Sequence, residues 1–184
     1  MVGFIERVVS RRGFMRGAVT LSGVVLLPAS LARSRDAEFR ASKTAPAAIE
    51  TSKLIYITPI KSDGKESSCH AEVWFYADDE GLFVVTKEER WRFQAVKRGL
   101  DRARIWVGDY GVWKSSHGAF RSAPTFLARG EHVSNDAGAV ERTLKAMAAK
   151  YANEDWSTYG PRFKQGLADG SRVLLRYSPI LPGT

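Results

Sequence analysis

From residue 51 onward, short apolar runs alternate with turn residues at the spacing of a β-rich domain. Lys53 to Ile60 carries Leu54, Ile55, Tyr56 and Ile57 and runs into Ser62-Asp63-Gly64-Lys65, a hairpin turn. Cys69 to Tyr76, with Val73, Trp74, Phe75 and Tyr76, predicts a second strand, and Asp78-Asp79-Glu80-Gly81 turns it into a third, Leu82 to Thr86. Over residues 88–100 the period changes, because Phe93, Val96 and Leu100 share one helical face; this helix should end at Gly99. Arg104 to Gly108 predicts a fourth strand, and Tyr110 to Lys114 and Ala119 to Val133 predict further ones, broken by Gly111, Gly118, Pro124 and Gly130. Asp136 to Tyr151 is the clearest helix: Val140, Leu144, Met147, Ala148 and Tyr151 line up, and Ser134 to Asp136 can cap it. A connection containing Trp and Gly leads to a last strand, Arg172 to Tyr177. The order β-β-β-α-β-β-β-α-β belongs to the α+β class. It predicts a small closed or partly closed barrel of six to seven mostly antiparallel strands with two helices packed outside.

The first 50 residues do not share this pattern. Ser10-Arg11-Arg12-Gly13-Phe14-Met15-Arg16 resembles the twin-arginine export signal S-R-R-x-F-L-K, and a modestly apolar stretch from Gly17 to Leu31 follows. Ser30-Leu31-Ala32 places small residues where a signal peptidase inspects the chain, so cleavage is expected after Ala32. The stretch is too short, and too diluted by Gly and Ser, to anchor the protein, since a span takes about 20 apolar residues. Residues 1–32 are therefore expected to be a signal peptide, 33–50 a flexible linker, and 51–184 the domain. The twin-arginine translocase is an expected partner, and the expected location is outside the cytoplasmic membrane.

Charge and cysteine content narrow the chemistry. The net charge of +8 falls once the arginine-rich leader is removed, leaving a mildly basic domain. Much of the remainder lies in residues 87–104, where Lys87, Arg90, Arg92, Lys97, Arg98, Arg102 and Arg104 face only Glu88, Glu89 and Asp101. A local cluster of this kind suits a discrete anion better than a nucleic acid, which draws basic residues across a whole face, so no nucleic-acid partner is expected. Cys69 is the single cysteine, which excludes an internal disulfide. His70, His117 and His132 have no metal-type spacing with one another or with Cys69, and no metal is expected.

The run from Cys69 to Gly108 resembles the flavin-binding split barrel of the pyridoxamine-phosphate-oxidase-like superfamily, which includes the deazaflavin (coenzyme F420)-dependent reductases. The resemblance rests on Val73-Trp74-Phe75, the acidic-Gly turn Asp79-Glu80-Gly81, the strand Leu82 to Thr86, and the basic helix with Arg90, Arg92, Lys97 and Arg98. It covers about 40 residues. It implies a split barrel that binds FMN, or alternatively F420, usually as a homodimer. Arg92 stands where the family has a phosphate-binding Lys, and Arg can hold a phosphate through two parallel hydrogen bonds. By the same alignment Thr86, Lys87 and Arg90 would surround a ribityl phosphate, Lys97 would belong to the basic helix above it, and His70, Glu72 and Trp74 would lie along the ring system. Glu88 and Glu89 fit this poorly, because two carboxylates beside a phosphate would repel it, and they are expected instead to cap the helix dipole from outside. No catalytic side chain is implied.

Export and cofactor support one another, because the twin-arginine route serves proteins that load a cofactor before transport. The expectation is an exported flavin- or deazaflavin-dependent oxidoreductase acting on a small-molecule substrate. The alternative is a split-barrel module that has lost the flavin and holds another small ligand or a partner.

Overall fold

The computed structural model describes residue 45 and residues 47–180. The twin-arginine motif, the cleavage point at Ala32 and most of the expected linker lie outside the described residues. Seven strands form one antiparallel sheet: β1 (Ile55–Pro59), β2 (Ala71–Val73), β3 (Tyr76–Asp78), β4 (Gly81–Lys87), β5 (Arg102–Val107), β6 (Thr125–Val133) and β7 (Arg172–Pro179). Three helices accompany them: α1 (Trp91–Lys97), α2 (Ala137–Lys150) and α3 (Trp156–Asp169).

The sheet order β2-β1-β5-β6-β7-β4-β3 places β2 and β3 at opposite edges, yet only Trp74 and Phe75 separate them in sequence. A sheet whose two edges are joined by two residues has to curl on itself, and this makes the architecture a split barrel. The second predicted strand is thus two strands, broken where the chain crosses from one edge to the other. Periodicity does not show the break, because Trp74 and Phe75 are both good strand residues.

Inside the barrel Ile55, Ile57, Val84, Ile105 and Leu175 are fully buried or nearly so, each contributing about 1.5–3 kcal/mol by leaving water. The outer face of β4 and β7 carries Phe83, Val85 and Leu174 against Met147, Tyr151 and Phe163 of α2, the residue after it, and α3. The outer face of β1 and β5 carries Tyr56 and Trp106 against Phe120 and Ala123. Covering on both faces explains why β1 is buried at every position and why its sequence reads as a continuous apolar run.

Four further expectations change. Residues 110–114 are a loop, because Gly111 takes φ +70 and the Tyr56 hydroxyl reaches in to donate to the Gly111 carbonyl and accept from the Tyr110 N–H. The predicted strand from Ala119 starts as a 3-10 turn, Ala119–Ser122, and only Thr125–Val133 pairs in the sheet. The connection before β7 is a helix, α3, so among the described residues three helices lie between the strands instead of two. Residues 47–51, the end of the expected linker, are helical, and Ala48 and Ile49 pack against the barrel core.

Candidate functional site

A cleft of about 650 Å³ opens between the end of β4, α1, the β2 segment and α3. His70, Glu72, Trp74, Thr86, Lys87, Arg90 and Arg92 all line it, so the structure brings seven of the eight predicted binding residues to one place. Lys97 is elsewhere. It pairs with Glu88 at 3.7 Å and lies beside the Phe93 ring, because five residues along an α-helix from Arg92 is a rotation of about 140°.

Arg92 sets the electrostatics. Its guanidinium donates to the Thr86 hydroxyl, itself 1% exposed, and among the described residues no carboxylate lies within ion-pairing distance of it. Burial pulls its pKa below the usual value, partly offset by Tyr177, Cys69 and Glu72, with Arg90 adding repulsion. A largely desolvated cation without a counter-ion is an anion site in search of its anion. Lys87, Arg90 and Arg172 add positive charge to the same cleft. Glu88 and Glu89 do not line it: Glu88 turns to Lys97, and Glu89 pairs with Lys87 at 3.7 Å.

The opposite wall is aromatic. Trp74 stacks on Tyr151 at 4.5 Å and meets Tyr159 edge-on at 5.4 Å, while Trp91, Trp113 and Phe163 complete the lining. Tyr159 and Phe163 belong to α3, so reading that segment as a loop conceals them. Their spacing with Trp156 and Leu167 is helical, but Gly160, Pro161 and Gly166 read as breakers. The glycines serve close approach instead: a Cβ on Gly160 would sit 2.7 Å from the Trp156 ring, and one on Gly166 would meet the Arg172 side chain at 2.6 Å. Gly166 therefore makes the room in which Arg172 crosses the Phe163 ring, 5.0 Å from its centroid, at the cleft wall.

His70 borders the cleft with both ring nitrogens engaged. Nε2 lies 3.2 Å from Arg121, which can only donate, so Nε2 accepts and Nδ1–H donates to Thr58 Oγ1 at 2.6 Å. Arg121 and Arg104 are both bound by Glu66, at 2.8 and 2.9 Å. Burial first, and Arg121 second, hold the His70 pKa below 6.5, with Glu66 pulling the other way. As pH falls through about 6.5 the unfolded chain takes up this proton and the folded one does not, so stability present above that pH is lost as pH falls toward the lower native value. His70→Gln should flatten the decline of Tm between pH 7 and pH 5. Parallel pH profiles for the two proteins would show that His70 titrates normally in the fold.

Glu72 is held by the Trp113 N–H at 3.2 Å, which fastens the 109–118 loop across the end of the cleft. Asp155 and Cys69 also line the site. Phosphate-like charge therefore suits the Arg92 end, and a flat conjugated ring suits the Trp74 side.

No protein-family model matches the chain, and no curated protein sequence matches it. Similar solved structures include HutZ, the heme storage protein from Vibrio cholerae, at 15% identity over 77% of this chain and 91% of that one, TM-score 0.50. The conserved hypothetical protein Rv2991 from Mycobacterium tuberculosis is similar at 16% identity over 74% and 80%, TM-score 0.51. ChuZ from Campylobacter jejuni is similar at 10% identity over 82% of this chain, which spans 58% of ChuZ, TM-score 0.52. Likeness at these identities establishes architecture and leaves ligand and activity to the site itself: the chain is a split barrel.

Proposed function

We propose that the chain is an exported oxidoreductase that holds a flavin-type cofactor, FMN or alternatively F420, in the cleft between Arg92 and Trp74. The observation that carries this is the half-buried Arg92, without a counter-ion among the described residues, lining the same cleft as a set of aromatic side chains. When bound, such a cofactor supplies hydride transfer at its ring. Arg92, with Lys87, Arg90 and Arg172, binds the phosphate end; Trp74, Tyr159 and Phe163 orient the ring and exclude water from one side. The substrate is a small molecule, the working unit a homodimer, and the twin-arginine translocase carries the loaded protein across the membrane. Loading before export would also stabilise the fold, by about 2.7 kcal/mol at a hundredfold excess of ligand over Kd.

Protein purified from the cytoplasm of an export-deficient strain should show the absorption of a bound flavin or deazaflavin. A colourless product that also refuses added FMN and F420 sinks the proposal. The second reading, a split-barrel module that has lost the flavin and holds another small ligand or a partner, draws on one observation: His70 at the edge of the cleft is committed at both nitrogens and has no proton to spare for chemistry. That reading loses if the purified protein binds FMN or F420.

A further inference from the structure

Lys150, the last residue of α2, lies outside this cleft and serves none of the roles above. Its Nζ stands 3.4 Å from the centroid of the fully buried Phe75 ring and 5.7 Å from that of Tyr151. Among the described residues no carboxylate is within ion-pairing distance of it. It also lines a separate cleft of about 810 Å³, whose floor includes Ile49, Tyr76, Leu82 and Pro179. The carboxylates lining that space come from two places, and several are already engaged. Glu50 lies on the N-terminal helical segment; Asp78, Asp79 and Glu80 lie at the β3–β4 turn, where Asp78 accepts the Glu80 N–H and Glu80 binds Arg142 and Arg176. Asp109, nearby in the loop after β5, accepts the Lys53 and Leu54 N–H groups.

We propose that Lys150 is a carbonyl-reactive amine that condenses with small uncharged aldehydes at this cleft. The nitrogen attacks the carbonyl carbon, a C=N bond forms, and the carbonyl oxygen leaves as water with the two amine hydrogens; nothing is oxidised or reduced. Two forces compete at the nitrogen. The ring face favours the ammonium form, whereas burial without a partner favours the neutral amine and brings the pKa down to about 8, against the pull of Asp109. Selectivity for uncharged aldehydes follows from the carboxylates at the rim, which repel phosphate-bearing ones.

The test treats the full-length protein at pH 7.5 with propanal and cyanoborohydride, which traps imines, and follows each lysine by peptide mass spectrometry. Lys150 should be alkylated at least about tenfold faster than the exposed Lys61, Lys114 and Lys164, since the neutral fraction of an ordinary lysine, with pKa about 10.4, is far smaller. Its preference over those lysines should shrink when pyridoxal phosphate replaces propanal. Lys150→Arg, which keeps a cation over the Phe75 ring, should retain the fold by circular dichroism and lose the fast-labelling peptide. Labelling of Lys150 no faster than the exposed lysines would overturn the proposal, and a greater preference with pyridoxal phosphate would overturn its charge selectivity.

Discussion

Arg92→Met should weaken FMN binding by about 10²–10⁴-fold while leaving the ligand-free protein at least as stable as before. The size follows from two charge-assisted hydrogen bonds to a phosphate, each contributing about 1.5–3 kcal/mol net in a shielded site. The opposite sign for stability follows from the absence of a counter-ion among the described residues: without ligand the guanidinium is a desolvated charge whose hydrogen-bond partner is the Thr86 hydroxyl, and an apolar side chain of similar length removes that cost. Titration calorimetry with FMN and thermal melts of the apo protein measure the two effects separately. Arg90→Ala should cost far less, because Arg90 is exposed and keeps its charge in water. Should Arg92→Met bind FMN as tightly as the wild type, the phosphate is not at Arg92 and the cofactor proposal fails with it.

Most of the sheet is legible in the chain because each strand is short, apolar and bounded by turn residues, and Gly81 and Gly99 mark real turns with φ +139 and +77. Legibility of the site has a narrower cause. His70 to Trp74 and Thr86 to Arg92 are two compact segments, so a resemblance spanning both delivers most of one cleft wall. The rest comes from sequence-distant positions: Arg172, opposite Lys87 in the pairing of β4 with β7, and Tyr159 and Phe163 on α3. Lys97 shows the converse error, since proximity in sequence to Arg92 says nothing about which side of a helix a residue occupies. The breaking of the second strand at Trp74-Phe75 was hidden for a different reason. Its signal lies in Tyr151, 76 positions away, whose hydroxyl takes over the hydrogen bonding that a strand neighbour would supply.

Tyr151→Phe tests that last point, and it should lower Tm by about 10–15 °C. Tyr151 is fully buried; its hydroxyl accepts the Phe75 N–H at 2.8 Å and lies 2.9 Å from both the Phe75 and Lys53 carbonyls, to which its single proton can donate. Phe75 sits in the gap between β2 and β3, outside both edge strands. Deleting one oxygen therefore orphans a buried N–H and deprives two carbonyls, a loss of about 3–4 kcal/mol from a domain of ordinary stability, which at this chain length corresponds to the stated shift. The ring survives the substitution, so its stack with Trp74 at 4.5 Å survives too. Faster amide exchange at Phe75 with little change in FMN affinity would separate the closure of the barrel from the chemistry of the cleft. A Tm within about 2 °C of wild type would mean that the crossing at Phe75 is held by packing of its own buried ring instead, since a shift that small corresponds to well under 1 kcal/mol.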